Sequence, residues 1–275
     1  MNKEDLPFYV ASDILRQQNK AYKKVTAGDQ DRLYVITGRE GVGKSTFCMQ
    51  LAYVVDPNLC LNNIVFTPKQ FEDRIRNAKK FEAIIYDEGF SGLSSKGSIS
   101  KQNKQLVRLL MECRQRNLFI FIVLPSFFLL EKYIAIFRST ALFNVLASKR
   151  NFKLRYYKVY NYQQKKLLYI KGKTMMDYSK PKISKSYRFY KKLPPGISDE
   201  GYRHKKLMSF RNNDGETTEE SKHLKQRAVL SKLLKEKFDF NYVEQMKILE
   251  SCGCGVADTV LSRSARYTPL KIQNT

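Results

Sequence analysis

Eight consecutive residues, Gly38-Arg39-Glu40-Gly41-Val42-Gly43-Lys44-Ser45, restrict what this chain can fold into more than any other stretch. They fit the pattern G-x-x-x-x-G-K-[ST]. The apolar run Leu33-Tyr34-Val35-Ile36-Thr37 before them predicts a strand, and Thr46 to Val55 after them predicts a helix. A chain that passes from a strand through a glycine loop into a helix points several backbone N–H groups at one place. The positive end of the helix dipole lies there too. A polyphosphate suits that place. Gly38, Arg39, Glu40, Gly41, Val42, Gly43, Lys44, Ser45 and Thr46 are therefore the candidate ATP-binding residues. Lys44 is expected to reach the β- and γ-phosphates, and the Ser45 hydroxyl to sit on Mg²⁺. A chance glycine turn is the alternative, and it would have to coincide with both the strand and the helix.

The chain continues in the same alternation. A first helix is expected from Ala11 to Lys23, ahead of the strand that leads into the loop. Asn63 to Phe66 predicts a second strand. Thr67-Pro68 starts a helix, with a capping hydroxyl and proline at the first helical position, that runs from Lys69 to Ala78. Ala83 to Tyr86 predicts a third strand, and Ser91 to Lys104 a polar loop. Gln105 to Gln115 follows as a helix, with Leu106, Leu109, Leu110 and Cys113 on one face. Leu118 to Leu124, Phe127 to Phe137 and Ala141 to Ala147 predict strand, helix and strand. Helices alternating with short apolar strands imply an α/β fold with a parallel sheet.

The third strand runs straight into Asp87-Glu88. An apolar strand ending in two acids, some forty residues after the lysine, has the form of a Walker B element. Asp87 would hold Mg²⁺ beside Ser45, and Glu88 would orient and polarise a water for attack on the γ-phosphorus. Such a pair can also merely close a strand. A glutamate in this place resembles the additional-strand catalytic-glutamate (RecA/ASCE-like) division of P-loop NTPases, which has an extra strand between the two Walker strands. Its sheet order is 5-1-4-3-2. That order brings the end of the fourth strand beside the loop, where Ser126 carries the first side-chain hydroxyl. Ser126 is either a sensor of the γ-phosphate or the N-cap of the helix that follows.

The order of these parts resembles the FtsK–HerA group of DNA-pumping ATPases, above all its small viral members, the Zot-type phage assembly and virion packaging ATPases. The residues that carry the resemblance are Gly38 to Ser45, Tyr86-Asp87-Glu88, the helix ending Glu112-Cys113-Arg114-Gln115-Arg116-Asn117, the strand to Ser126, and Arg138. It covers about residues 30–150. The group usually carries Gln at the end of strand four, where this chain has Pro125-Ser126. Zot-type proteins usually continue into a membrane span, and no run here is long enough for one. The resemblance implies a homo-oligomeric ring around DNA, with an arginine finger reaching the neighbour's nucleotide. Arg114, Arg116 and Arg138 are the candidates, and each is equally an ordinary surface arginine.

Charge points the same way. The formal net charge is +24 with pI near 9.8, which favours a polyanionic partner, nucleic acid before an anionic membrane. Residues 149–211 hold 19 Lys/Arg against 3 Asp/Glu, and nine of the 17 tyrosines. They are expected to bind phosphates by charge, with tyrosines available to stack bases, although a solvated hairpin with many of its tyrosines packed on the ATPase domain fits the same pattern. Phe152 to Tyr160 and Lys165 to Ile170 predict a β-hairpin around Asn161-Tyr162-Gln163-Gln164, followed by an extended arm from Gly172 to Gly201. Glu219 to Phe238 predicts an amphipathic helix. Asn241 would cap a helix from Tyr242 to Glu250, and Val256 to Arg266 would follow it after a glycine turn, giving a helix-turn-helix-like unit over 241–266. A plain helical bundle fits the same pattern.

Five scattered cysteines, and a charged N-terminal stretch without an apolar core, suit reduced thiols and a cytoplasmic protein without an integral membrane segment. The expected organisation is a P-loop ATPase domain over 1–150, a basic hairpin and linker over 151–215, and a helical helix-turn-helix-like domain over 216–275. The expected function is a DNA-associated, Mg-ATP-hydrolysing motor or packaging ATPase. An ATP-dependent DNA-binding regulator or transposition-type loader, a membrane-peripheral ATPase and a small-molecule kinase are the alternatives.

Overall fold

A computed structural model describes residues 4–87, 96–148, 151, 154–209, 230–231, 234–235 and 239–251. Glu88, the helix expected from Val256 to Arg266, and most of the helix expected from Glu219 to Phe238 lie outside the described residues.

The helices are α1 (Ser12–Ala27), α2 (Lys44–Val55), α3 (Pro68–Arg76), α4 (Lys96–Glu112), α5 (Tyr162–Gly172), α6 (199–209) and α7 (Tyr242–Ser251). The strands are β1 (Arg32–Thr37), β2 (Ile64–Val65), β3 (Ala83–Asp87), β4 (Phe119–Leu124), β5 (Ala141–Ala147), β6 (Arg155–Tyr160) and β7 (Tyr187–Phe189). They form one seven-stranded sheet in the order β2-β3-β4-β1-β5-β6-β7. Its first five strands are parallel and follow the expected 5-1-4-3-2 order. β6 and β7 extend it antiparallel beyond β5. By compactness the chain divides into two units, Met1–Lys206 and Leu207–Thr275.

The sheet is buried on both faces, which is why its central strands are apolar throughout rather than alternating. Tyr34 and Ile36 of β1 face a core with α1 and α2, while Leu33 and Val35 face a second core with α3, α4 and α5. Helix starts follow local chemistry. Thr67 Oγ1 accepts from the Gln70 N–H at 3.1 Å, with Pro68 at the first helical position. In the second unit, Asn241 Oδ1 accepts from the Val243 and Glu244 amides while Glu244 Oε2 accepts from the Asn241 amide, a reciprocal cap that starts α7.

Four expectations are corrected. The segment expected as the second arm of a hairpin is helix α5. Asn161 and Gln164 were read as a turn, but they form a capping box, each side chain accepting from the other's backbone N–H at 3.0 Å. Asn favours turns and helix N-caps alike, and the distinction depends on what packs afterwards; Leu168 and Tyr169 bury into the sheet. α4 starts at Lys96, inside the stretch expected as a polar loop. The helix expected from Phe127 to Phe137 is instead a 3₁₀ turn (Phe127–Leu129) followed by a π-helix (Tyr133–Arg138). There the Ser139 N–H reaches back five residues to the Ile134 carbonyl, and Ser139 Oγ donates to Ala135. Finally, the arm expected from Gly172 to Gly201 contributes strand β7 to the sheet.

Candidate nucleotide site

The Gly38–Ser45 loop leaves the C-terminal edge of β1 and enters α2 at Lys44. Gly38 has φ +149°, and a Cβ there would stand 2.3 Å from the Val145 carbonyl oxygen of β5. Only glycine lets the loop turn so tightly over its neighbouring strand. Gly43 takes a left-handed conformation as the N-cap residue of α2 (φ 91°). Among the described residues no side chain caps this helix, and its first turn holds no acidic residue, which leaves the positive end of the dipole to a bound anion. Lys44 Nζ folds back to donate to the Arg39 carbonyl at 3.0 Å, which keeps the ammonium over the loop.

Sheet order supplies the other half. β4 is the single strand between β1 and β3, and Asp87 stands in register with Val123 and, through it, Ile36. Asp87 is fully buried at the end of β3, on the edge where the loop begins. The Tyr202 hydroxyl of α6 donates to Asp87 Oδ2 at 2.5 Å. Tyr202 is held by its ring contact with Phe66 (centroids 5.8 Å apart) and by a helix that Ser198 caps, its Oγ accepting from the Gly201 N–H. Lys205, one turn on, donates to the Leu61 carbonyl at 2.6 Å. The sequence offered no signal for Tyr202, because it lies 115 residues from its partner.

An uncapped helix N-terminus, a glycine cradle with Lys44 above it, and a buried carboxylate two strands away fit a nucleotide phosphate chain with a magnesium ion. Ser45 and Asp87 would hold the metal, and the loop amides with Lys44 the phosphates.

Ser126 follows β4, two residues past the Leu124–Thr37 pairing, and is half-buried. Its Oγ accepts from the Phe128 N–H at 3.4 Å, so it caps the 3₁₀ turn while standing at the nucleotide edge. The three candidate finger arginines lie elsewhere. Arg114 and Arg116 precede β4 and Arg138 precedes β5, so all three stand toward the sheet edge opposite the loop. Arg116 donates to the Arg76 carbonyl, Arg138 is paired with Asp31, and Arg114 is exposed. None of the three reaches the loop of its own chain. Another arginine does: a Cβ built on Gly43 would lie 3.4 Å from Arg155 Nη1 of β6. Sequence reading counted Arg155 only as one cation among many.

At that opposite edge, a groove of about 780 Å³ opens between Asp56, Asn63, Arg74 and Glu82. It has no part in the phosphate site. Burial raises the Asp56 carboxyl, although it accepts from the Ala83 and Asn58 amides.

The basic stretch also resolves. Lys166, Lys171, Lys180, Lys182, Arg188, Lys191 and Lys192 are exposed. Most of the tyrosines there are not: Tyr157, Tyr160 and Tyr169 are core residues, leaving Tyr162 and Tyr190 exposed. Among the described residues, no helix is long and apolar enough to cross a membrane.

Residues 17–170 match the model of a family described as nSTAND3, novel STAND NTPase 3. No curated protein matches the sequence. Among solved structures, the chain is similar to the N-terminal domain of zonular occludens toxin from Neisseria meningitidis. That match has 15% identity and a TM-score of 0.34, covering 60% of this chain and 96% of the other. It is also similar to the flagellar accessory protein FlaH from Methanocaldococcus jannaschii, with 14% identity and a TM-score of 0.28, covering 57% of this chain and 88% of that one.

Proposed function

The chain belongs to the novel STAND NTPase 3 family, and from that premise we propose that it hydrolyses Mg-ATP as a DNA-associated motor or assembly ATPase. One observation carries the hydrolytic reading. The uncapped phosphate loop after β1 and the buried Asp87 at the end of β3 stand on one sheet edge with a single strand between them. Bound magnesium would neutralise charge on the phosphates and hold them in line. Lys44 and the loop amides bind the phosphate chain, and Ser45 and Asp87 orient the metal. Glu88, the next residue after Asp87, takes a proton from the water that attacks the γ-phosphorus, and ADP leaves.

The DNA partner is supported by charge facing solvent. Among the described residues, the exposed lysines of α5 and the 180–192 segment lie outside the ion pairs, with the exception of Lys185, which meets Asp13. They are free to neutralise phosphates. Base stacking narrows to Tyr162 and Tyr190, since the remaining tyrosines of the segment are buried or half-buried. Assembly as a homo-oligomeric ring belongs to the same proposal. A switch-type regulator is the second reading, favoured by the Tyr202–Asp87 bond, which ties the metal-site carboxylate to α6.

Glu88→Gln tests the chemistry: ATP binding persists and hydrolysis disappears, and a fully active variant refutes the mechanism. DNA affinity tests the partner. It falls steeply between low and physiological salt, whereas a flat response removes nucleic acid from the proposal.

A further inference from the structure

The antiparallel extension of the sheet brings a cation to the phosphate loop that no Walker element accounts for. β6 runs opposite to β5, so its first residue, Arg155, pairs with Ala147 at the C-terminal edge of the sheet, the edge from which the loop springs. β7 pairs on the other side and sets Phe189 opposite Arg155. A Cβ on Gly43 would meet Arg155 Nη1 at 3.4 Å, Arg155 Cδ at 3.5 Å and Phe189 Cε2 at 3.6 Å. The guanidinium therefore lies against the backbone at the start of α2, where the absence of a side chain on Gly43 leaves it room.

We propose that Arg155 is an intramolecular phosphate-binding arginine that holds the α/β end of the nucleotide's phosphate chain; this rests on the reading of Gly38–Ser45 as the nucleotide site.

Three observations support it. Arg155 Nε is buried with no hydrogen-bond acceptor among the described residues, and Arg155 enters none of the ion pairs there. A buried donor without a partner is costly, and an arginine fork suits phosphate oxygens. The strand that carries it is held rigidly. Phe47 of α2 packs against Tyr157 (centroids 4.2 Å apart) and Phe189 (5.1 Å), and Gln50 Nε2 donates to the Tyr190 and Lys192 carbonyls at 2.7 and 2.6 Å. The guanidinium thus has little freedom to lose when it binds. Last, β6 lies on the far side of β1 from β3 and β4. Asp87 and Ser126 flank the loop from the metal and γ-phosphate side, and Arg155 flanks it from the other.

Arg155→Met keeps the aliphatic packing and removes the fork. Titration with Mg-ADP and with a non-hydrolysed Mg-ATP analogue is expected to show both bound about tenfold or more weakly. The nucleotide-free melting temperature is not lowered, because the lost donor had no acceptor. Unchanged ADP affinity, or a loss confined to the triphosphate, overturns the assignment. Lys44→Ala is measured alongside. If it binds ADP normally, the nucleotide site itself is misread. If it loses binding while Arg155→Met retains it, only the role of Arg155 fails.

Discussion

Arg138 was a candidate to act on a neighbouring subunit's nucleotide, and its surroundings predict a different role. Its side chain is 12% exposed and that of its partner, Asp31, 7%. The same guanidinium donates Nε and Nη2 to the Leu110 carbonyl of α4 at 3.3 and 3.2 Å. It therefore ties α4 to the residue just before β1. Arg138→Met would leave Asp31 buried and uncompensated, which costs about 3–5 kcal/mol. Losing the bond to Leu110 adds up to about 1 kcal/mol. A total near 4 kcal/mol is a large part of the roughly 5–15 kcal/mol that separates folded from unfolded states. For a chain of this size it lowers the melting temperature by about 8–16 °C. Urea unfolding followed by far-UV circular dichroism reads the loss directly. Arg138→Met combined with Asp31→Leu recovers most of it, because the stranded charge is removed too. ATPase activity, corrected for folded fraction, stays near wild type in the double variant. Wild-type stability in Arg138→Met together with lost hydrolysis would refute the structural role and restore the arginine to the neighbour's active site.

Two further outcomes follow from single side chains. Tyr202→Phe keeps the contact with Phe66 and removes the hydroxyl that donates to the buried Asp87 carboxylate, so nucleotide-free stability falls by about 1.5–3 kcal/mol; an effect below about 0.5 kcal/mol in urea unfolding would mean the bond is not formed in solution. Lys165 is fully buried, donating to the Ala135 and Ile136 carbonyls at 3.2 and 2.5 Å, and burial pushes its ammonium down from 10.5 to about 8. Between those two values the unfolded chain binds more protons than the folded one. This group's contribution to stability therefore rises with pH from about 8 to 10.5, by up to about 3 kcal/mol. Relative to Lys165→Met, the wild-type protein should gain stability across that window, and parallel pH profiles would contradict it.

The parts legible from sequence are those determined over a few residues. Thr67-Pro68 declares a helix start because cap and first turn are adjacent, and Asn241 does so too, with Glu244 completing the cap in the structure. The phosphate loop was readable because its glycines, lysine and flanking apolar runs lie within about twenty residues. The order of the five parallel strands was implied by the resemblance to the catalytic-glutamate division, and the structure follows it while adding β6 and β7 beyond β5. The hairpin expected around Asn161-Tyr162-Gln163-Gln164 shows where such reading fails. Asn serves turns and helix N-caps alike, and burial of Leu168 and Tyr169 selects the helix. The tyrosines of the basic stretch fit either a stacking surface or packing on the ATPase domain, because a ring with a polar tip suits both places, and burial of Tyr157, Tyr160 and Tyr169 decides for packing at those positions.

From the sequence alone came the loop, the parallel sheet that presents it and the excess of cations, because each is written in local spacing or in composition. Tertiary structure alone decided which distant side chains stand beside that loop. Arg155 reaches Gly43 through an antiparallel extension of the sheet, and Tyr202 reaches Asp87 across 115 residues. Arg138 turns inward to Asp31. Pairings of that length depend on how whole elements pack, since the position of a side chain at the site is set by the sheet register and not by its own neighbours in the chain.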